Sequence, residues 1–398
     1  MSAKQQYNVV LASFLGWTID AFDFFLLIFV MGDVAKEFDS TVKVVSWAIT
    51  LTLGLRVVGA FLFGRLADRY GRKPVLIANI LTFSVIECAS GFAPTLTVFL
   101  ILRGLFGIAM GGEWGIGASL TMESIPVHWR GFVSGLLQSG YSFGYLIAAL
   151  VFGVGFDALG WRGLFIVAIV PAFLVLYIRS HVPESPAWSA TNVQKPVGGG
   201  HRRAHIGRYI YAIALMGAAA TFSHGTQDLY PTFLRIQHGF SVHEVSIIAI
   251  LYNIGAILGC LCGGTLSQKI GRRRELVLAA ILAVVLMPFW AISSGPIWLV
   301  ATAFCMQFLV QCTFGTMPAH LNEISPPQER ATFPGFTYQF GNFLAAANVT
   351  IQVMLAENFQ NNYGIGMALV AGAGAIVFGL LAAFGPEAKE LRMVAEKA

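Results

Sequence analysis

Gly64-Arg65-Leu66-Ala67-Asp68-Arg69-Tyr70-Gly71-Arg72-Lys73 is answered 200 residues later by Gly264-Thr265-Leu266-Ser267-Gln268-Lys269-Ile270-Gly271-Arg272-Arg273. The same offset pairs Gly59 with Gly259, Glu123 with Glu323, Pro126 with Pro326, Arg130 with Arg330 and Gly135 with Gly335. The 398-residue chain is therefore two similar halves in tandem. Set among apolar helices, a parallel repeat of this kind points to a secondary transporter whose site lies between the halves.

Composition points the same way. Hydrophobic residues make up 56% of the chain, charged residues only 11%, and the mean hydropathy is +0.71, whereas a soluble domain carries about 25% charge. Apolar stretches of about twenty residues, long enough to cross a bilayer, recur about twelve times. The first half places them at 8–31, 43–67, 74–92, 95–122, 132–156 and 162–180, and the second at 207–233, 243–267, 275–293, 296–322, 332–356 and 364–384. The expected fold is an all-α membrane protein with two six-helix bundles, residues 1–182 and 207–385, a linker at 183–206 and a tail at 386–398. The linker reads Pro183-Glu184-Ser185-Pro186 and then Gly198-Gly199-Gly200-His201-Arg202-Arg203, a flexible composition. The first apolar run is too long for a cleaved signal and carries Asp20 and Asp23.

The cations set the expected orientation. Arg65, Arg69, Arg72, Lys73, Arg130, Lys195, Arg202, Arg203, Lys269, Arg272, Arg330, Arg392 and their neighbours fall on one side, against Lys36, Lys43, Arg162 and Arg235 on the other. The split is about nineteen to about four, so the positive-inside rule places both termini in the cytoplasm of a cell bounded by this plasma (inner) membrane. The net charge of +5 comes from these loops. They hold no basic run interleaved with aromatics, so nucleic acid is not an expected partner. Cys88, Cys260, Cys262, Cys305 and Cys312 sit in predicted helices without ligand-type spacing, so neither a metal nor a disulfide is expected. No nucleophile–base set or acidic metal motif lies at a membrane face, which argues against a membrane enzyme.

Charges inside a membrane are costly, at about 2.5 to 3.5 kcal/mol each on insertion scales, and mark function. Asp20, Asp23, Arg56, Glu113, His224 and Asp228 qualify. Arg56 lies twelve residues before Asp68, or roughly 18 Å, near the midplane of a core about 30 Å thick. A guanidinium stays charged and grips a carboxylate, so Arg56 suits an anionic substrate or else neutralises Asp20 or Asp23. His224 and Asp228 are four apart on one helix face. They can bind a hydroxyl and carry a proton, or form a structural buried pair. Gln339 and Asn342 reach mid-depth and share a face. Asp20, Asp23 and Glu113 are the candidates for proton coupling. Arg103 and Glu113 share a helix ten residues apart, too far for a direct pair.

The paired loops, with Arg103 in the fourth helix and Pro183-Glu184-Ser185 after the sixth, resemble the major facilitator superfamily across essentially the whole chain. The resemblance implies two bundles rocking about a central cavity, with gating at Asp68, Arg72, Arg103 and Arg272. Gln268 stands where the first loop has Asp68, so an acidic gating pair is expected only in the N-terminal half. Ser223-His224-Gly225-Thr226-Gln227-Asp228 resembles the seventh-helix signature of proton-coupled lactate permeases, in the sialate/lactate:proton symporter branch, but Ala220 replaces the usual Asn. Asp20-Ala21-Phe22-Asp23 resembles the Asp-Gly-Phe-Asp run of aromatic-acid:proton symporters. The resemblance also carries a substrate contact onto Gln339.

These readings lead to one expectation: a proton-coupled symporter of lactate and related monocarboxylates. Arg56, His224, Asp228, Gln339 and Asn342 would bind substrate. No cofactor is expected beyond the co-transported proton, and the carrier would work as a monomer in the lipid bilayer. The alternatives are a carrier of sialic or aromatic acids, or a membrane sensor that does not transport.

Overall fold

Both repeated loops make the same turn. Gly71 and Gly271 adopt φ of 111° and 106°, a region glycine enters without steric cost. In the computed structural model one helix ends at Tyr70 and the next begins at Arg72, and the pattern recurs at Ile270 and Arg272. The structure describes residues 1–170, 172–193, 205–389, 391 and 393. Linker residues 194–204, with Lys195, Arg202 and Arg203, lie outside the described residues, as do Arg392 and Lys397.

The first half holds α1 (Ala3–Glu37), α2 (Val42–Val45), α3 (Trp47–Tyr70), α4 (Arg72–Ser90), α5 (Leu96–Gly111), α6 (Glu113–Ser124), α7 (Arg130–Val167) and α8 (Ala172–His181), followed by the short α9 (Pro186–Val193). The second holds α10 (Ile206–Gln227), α11 (Tyr230–Thr232), α12 (Val242–Ile270), α13 (Arg272–Ile292), α14 (Pro296–Ile324), α15 (Thr332–Leu344), α16 (Asn348–Asn358) and α17 (Tyr363–Phe384). Ten helical segments among the described residues have the length and hydropathy of a membrane span. The other two expected spans are broken. Residues 162–180 divide between the end of α7, which bends at Gly160 (φ 60°), and α8; residues 332–356 divide into α15, a 3-10 turn and α16. Hydropathy registers total apolarity and cannot see such interruptions.

Packing preserves the repeat. α3 lies along α5 and α12 along α14, while α3 meets α15 and α7 meets α12 across the two bundles. Close approach requires glycine: a Cβ on Gly59 would sit 1.8 Å from the Ile108 carbonyl oxygen, and one on Gly259 2.2 Å from that of Phe308. Small residues let membrane helices approach in this way. The outer faces are apolar, and Ile297 and Phe384 are more than four-fifths exposed. Such surfaces are out of place in water and natural in lipid. The chain is an integral, multi-pass membrane protein.

Candidate substrate site and gates

α1 presents Trp17, Asp20 and Asp23 at three-residue spacing, on one face. Asp20 is fully buried, and both its oxygens accept from Arg56 Nη2 of α3 at 3.0 Å. The Arg56 guanidinium lies 5.9 Å from the Trp17 ring and lines a central cavity of about 350 Å³. Arg56 therefore does both things its sequence allowed: it neutralises Asp20 and it faces the space where a ligand would sit. From the other bundle, His224 Nδ1 stands 3.1 Å from Asp228 Oδ2, and both side chains are about one-third exposed. Gln339 and Asn342, on α15, complete the wall. All five expected substrate residues thus line one cavity.

Its base is aromatic. Trp114 of α6 stacks on Tyr338 of α15 with centroids 4.0 Å apart. Trp114 Nε1 donates to Gln138 Oε1, and Gln138 Nε2 donates to Tyr338 Oη, each at 3.1 Å. Trp17 and Tyr141 pack on the same group, and Gln311 and Phe314 add to the lining. The sequence reading missed these residues. One signal was available, because Gln138 and Tyr338 are repeat equivalents, 200 residues apart, and they meet between the bundles. The lining continues through Ile49, Thr50, Leu53 and Gly54 at the start of α3 and Phe343, Ala345 and Ala346 beyond the middle of α15. The cavity therefore opens away from the face that carries the basic loops.

None of the three expected proton residues lines the cavity. Asp20 sits behind Arg56. Asp23 and Glu113 are fully buried, and among the described residues no oxygen of either carboxyl has a hydrogen-bond partner. Glu113 is packed so closely on α1 that a Cβ on Gly16 would meet its Oε1 at 2.3 Å. Helix spacing alone does not say which helix face meets the central axis.

The basic face is closed by two equivalent locks. Asp68 accepts from the backbone N–H groups of Ala331 and Thr332, each at 3.0 Å, and from Thr332 Oγ1 at 2.6 Å, and it pairs with Arg72 at 3.0 Å. An anion at the start of α15 is favoured by the helix dipole and its unpaired amides. In the other half Gln268 Oε1 accepts from Gly131 N at 3.1 Å, at the start of α7, and from Arg272 Nη2 at 2.8 Å. The acidic pair is confined to the first half, as read from Gln268, yet the neutral residue still bridges the bundles. Arg72 also binds Glu123, and Arg272 binds Glu323 through two nitrogens at 3.0 Å. The tail adds a further tie: Arg130 Nη1 donates to the Leu391 carbonyl and Arg330 Nη1 to that of Met393. Arg103 lies elsewhere. It pairs with Glu87 inside the first bundle, 4.0 Å from the Phe106 ring, far from the loops that lock the face.

A model of the Major Facilitator Superfamily matches residues 13–347. Among curated proteins, the carboxylic acid transporter protein homolog of Saccharomyces cerevisiae is 30% identical over 387 residues, covering 89% of this chain. This chain spans 62% of that protein's length. The putative niacin/nicotinamide transporter of Bacillus subtilis is 29% identical, covering 82% of this chain and 83% of its own. Among solved structures, the proton:xylose symporter XylE bound to 6-bromo-6-deoxy-D-glucose superposes with a TM-score of 0.78 at 17% identity, covering 98% of both chains. The two bundles, the paired loops and the central cavity are thus those of a transporter fold, and the chain belongs to the Major Facilitator Superfamily.

Proposed function

We propose that the protein is a proton-coupled symporter of lactate and related small monocarboxylates, working by alternating access with its basic face in the cytoplasm of the plasma (inner) membrane. The observation that carries this is the position of Arg56, bonded to a buried carboxylate on one side and facing the cavity on the other. A substrate carboxylate entering the cavity competes with Asp20 for that guanidinium. Once the substrate takes it, Asp20 is a buried carboxylate without its counter-ion, a state the membrane interior penalises heavily. Taking up a proton relieves the penalty. The loaded site then carries substrate anion, guanidinium and neutral acid, and the bundles can reorient around it. His224 and Asp228 bind the hydroxyl of a hydroxy acid, and Gln339 and Asn342 supply further polar contacts. Asp23 and Glu113 are the other proton acceptors, Asp68, Arg72, Arg272 and Gln268 hold the cytoplasmic gate, and Arg103 positions the first bundle through Glu87. No cofactor takes part.

One observation favours a second reading, a carrier of ring carboxylates. Trp17, Tyr141, Phe314 and Tyr338 line the cavity, and about 350 Å³ falls within the range of pockets that hold drug-sized ligands. A relative whose name assigns it niacin fits this alternative. Uptake of labelled lactate into proteoliposomes with an imposed pH gradient, competed by acetate, pyruvate, benzoate, nicotinate and sialate, decides between them. Lactate uptake that follows the gradient and is blocked by acetate and pyruvate supports the first. No lactate uptake, with strong uptake of benzoate or nicotinate, replaces it with the second. Binding without any counterflow makes the protein a sensor.

A further inference from the structure

The seam between α1 and α6 holds a row of buried polar groups outside the substrate cavity. On α6, Glu113, Gly117 and Thr121 are four residues apart and Ser124 follows three later, so all four face one way. Ser13 faces them from α1. Ser13 Oγ, both Glu113 oxygens, Thr121 Oγ1 and Ser124 Oγ are buried and lack a hydrogen-bond partner among the described residues. Gly117 leaves a gap in the middle. A Cβ there would lie 3.4 Å from Glu113 Oε1 and 3.7 Å from Ser13 Oγ, so those two oxygens are at most about 7 Å apart with no side chain between them.

Buried polar groups inside a membrane protein require partners. Helical rise separates the successive positions Glu113, Gly117, Thr121 and Ser124 by about 6, about 6 and about 4.5 Å, with Ser13 supplying the polar group opposite Gly117, and two hydrogen bonds of about 2.8 Å span a comparable length. A water at Gly117 would bridge Glu113 and Ser13, and buried waters occupy such polar sites. We propose that the α1–α6 seam is a hydrated proton path from the central site to the cytoplasmic face, separate from the route the substrate takes, with Glu113 as its station at the membrane centre. At one end Glu113 packs against Gly16, one turn below Asp20. At the other, Ser124 adjoins Glu123, which pairs with Arg72 at the cytoplasmic loop. The proton released when Asp20 regains Arg56 forms a new O–H bond at Glu113. That bond breaks in turn as the proton passes through Ser13, Thr121 and Ser124 and their waters into the cytoplasm. No net proton is stored.

The inference rests on the proton-coupled reading, and the experiment separates the two. Full-length protein in proteoliposomes is assayed for lactate uptake driven by a pH gradient, with a trapped pH dye reporting proton entry, and for lactate counterflow at equal pH. Gly117→Ala fills the gap with contacts no closer than 3.4 Å, so it folds while excluding water. We expect it to cut pH-driven uptake and proton entry at least fivefold and leave counterflow within twofold. Thr121→Val should act likewise, with Thr121→Ser restoring transport and Gly32→Ala, whose Cβ meets nothing within 4 Å, matching the wild type. If Gly117→Ala and Thr121→Val keep wild-type pH-driven uptake, or lose counterflow in equal measure, the seam is not a proton path. If the wild type itself shows no pH-driven uptake, both the path and the proton-coupled reading fall.

Discussion

Asp68→Asn isolates the charge in the lock on the basic face. Asp68 accepts two backbone N–H groups and one hydroxyl from the start of α15 and pairs with Arg72. Asn keeps one acceptor oxygen, but its NH2 must turn toward either the Ala331 or the Thr332 N–H, donor against donor. The Thr332 hydroxyl can rotate to compensate, whereas the amide cannot. One charge-assisted bond is lost, worth about 1.5 to 3 kcal/mol, and the remaining contacts weaken with the charge. A total near 3 kcal/mol shifts the balance between the closed and open states of the basic face by about 100-fold. Spin labels at Arg69 and Gln328, both exposed, report the distance across the gate by pulsed electron resonance. The wild type should show one short distance and the variant a second, longer population, with slower turnover. Substrate affinity should change little, because Arg56 is roughly 18 Å away along α3. Unchanged distances together with unchanged turnover would refute the reasoning. Gln268→Asn draws its single acceptor back by one methylene and should shift the same equilibrium by about 1 kcal/mol, the worth of an ordinary hydrogen bond.

Three further outcomes follow from the site and the packing. Arg56→Lys keeps the charge but loses the fork shared between Asp20 and ligand, so substrate affinity measured by calorimetry should fall at least about tenfold, or 1.4 kcal/mol; near-normal affinity would remove Arg56 from the site. With one proton per monovalent carboxylate, accumulation should follow the pH gradient at about 1.4 kcal/mol per unit and gain nothing from membrane potential, which supplies about 2.3 kcal/mol per charge per 100 mV. Accumulation driven by potential alone would exclude that stoichiometry. Gly59→Ala, whose Cβ would lie 1.8 Å from the Ile108 carbonyl, should lower thermal stability in detergent by more than about 3 kcal/mol, while Gly153→Ala, with nothing within 4 Å, should not; equal melting of the two would show that α3 and α5 can separate at little cost.

Much of this arrangement was legible because membrane helices are constrained by length, rise and charge. The repeat located the bundles, and depth counted from Asp68 brought Arg56 to the level of the cavity. Four-residue spacing put His224 beside Asp228 on the cavity wall. What escaped depends on which helices become neighbours. Trp17, Gln138, Tyr141 and Tyr338 look like ordinary packing or polar residues until two bundles bring them together. Asp20, Asp23 and Glu113 share the depth of the cavity but face the interior of one bundle. Gln268 lacks the charge of Asp68, whereas its carbonyl oxygen still accepts from the other bundle. The resemblance groups Arg103 with the gates, yet its partner Glu87 holds it inside the first bundle.

The locks on the basic face pair side chains with main-chain amides: Asp68 with the N–H groups of residues 331 and 332, Gln268 with that of residue 131. Every residue except proline supplies that donor. The bond itself is therefore indifferent to which small side chain fills the buried position 331, while it depends on the carboxylate at position 68. Sequence covariation will register no partner for Asp68 at position 331, although the two touch. A screen for second-site suppressors of Asp68→Asn will likewise find none at position 331, since no change of side chain there can return what the amide already gives. Compensation must arise instead in residues that set the relative stability of the two states, anywhere in either bundle.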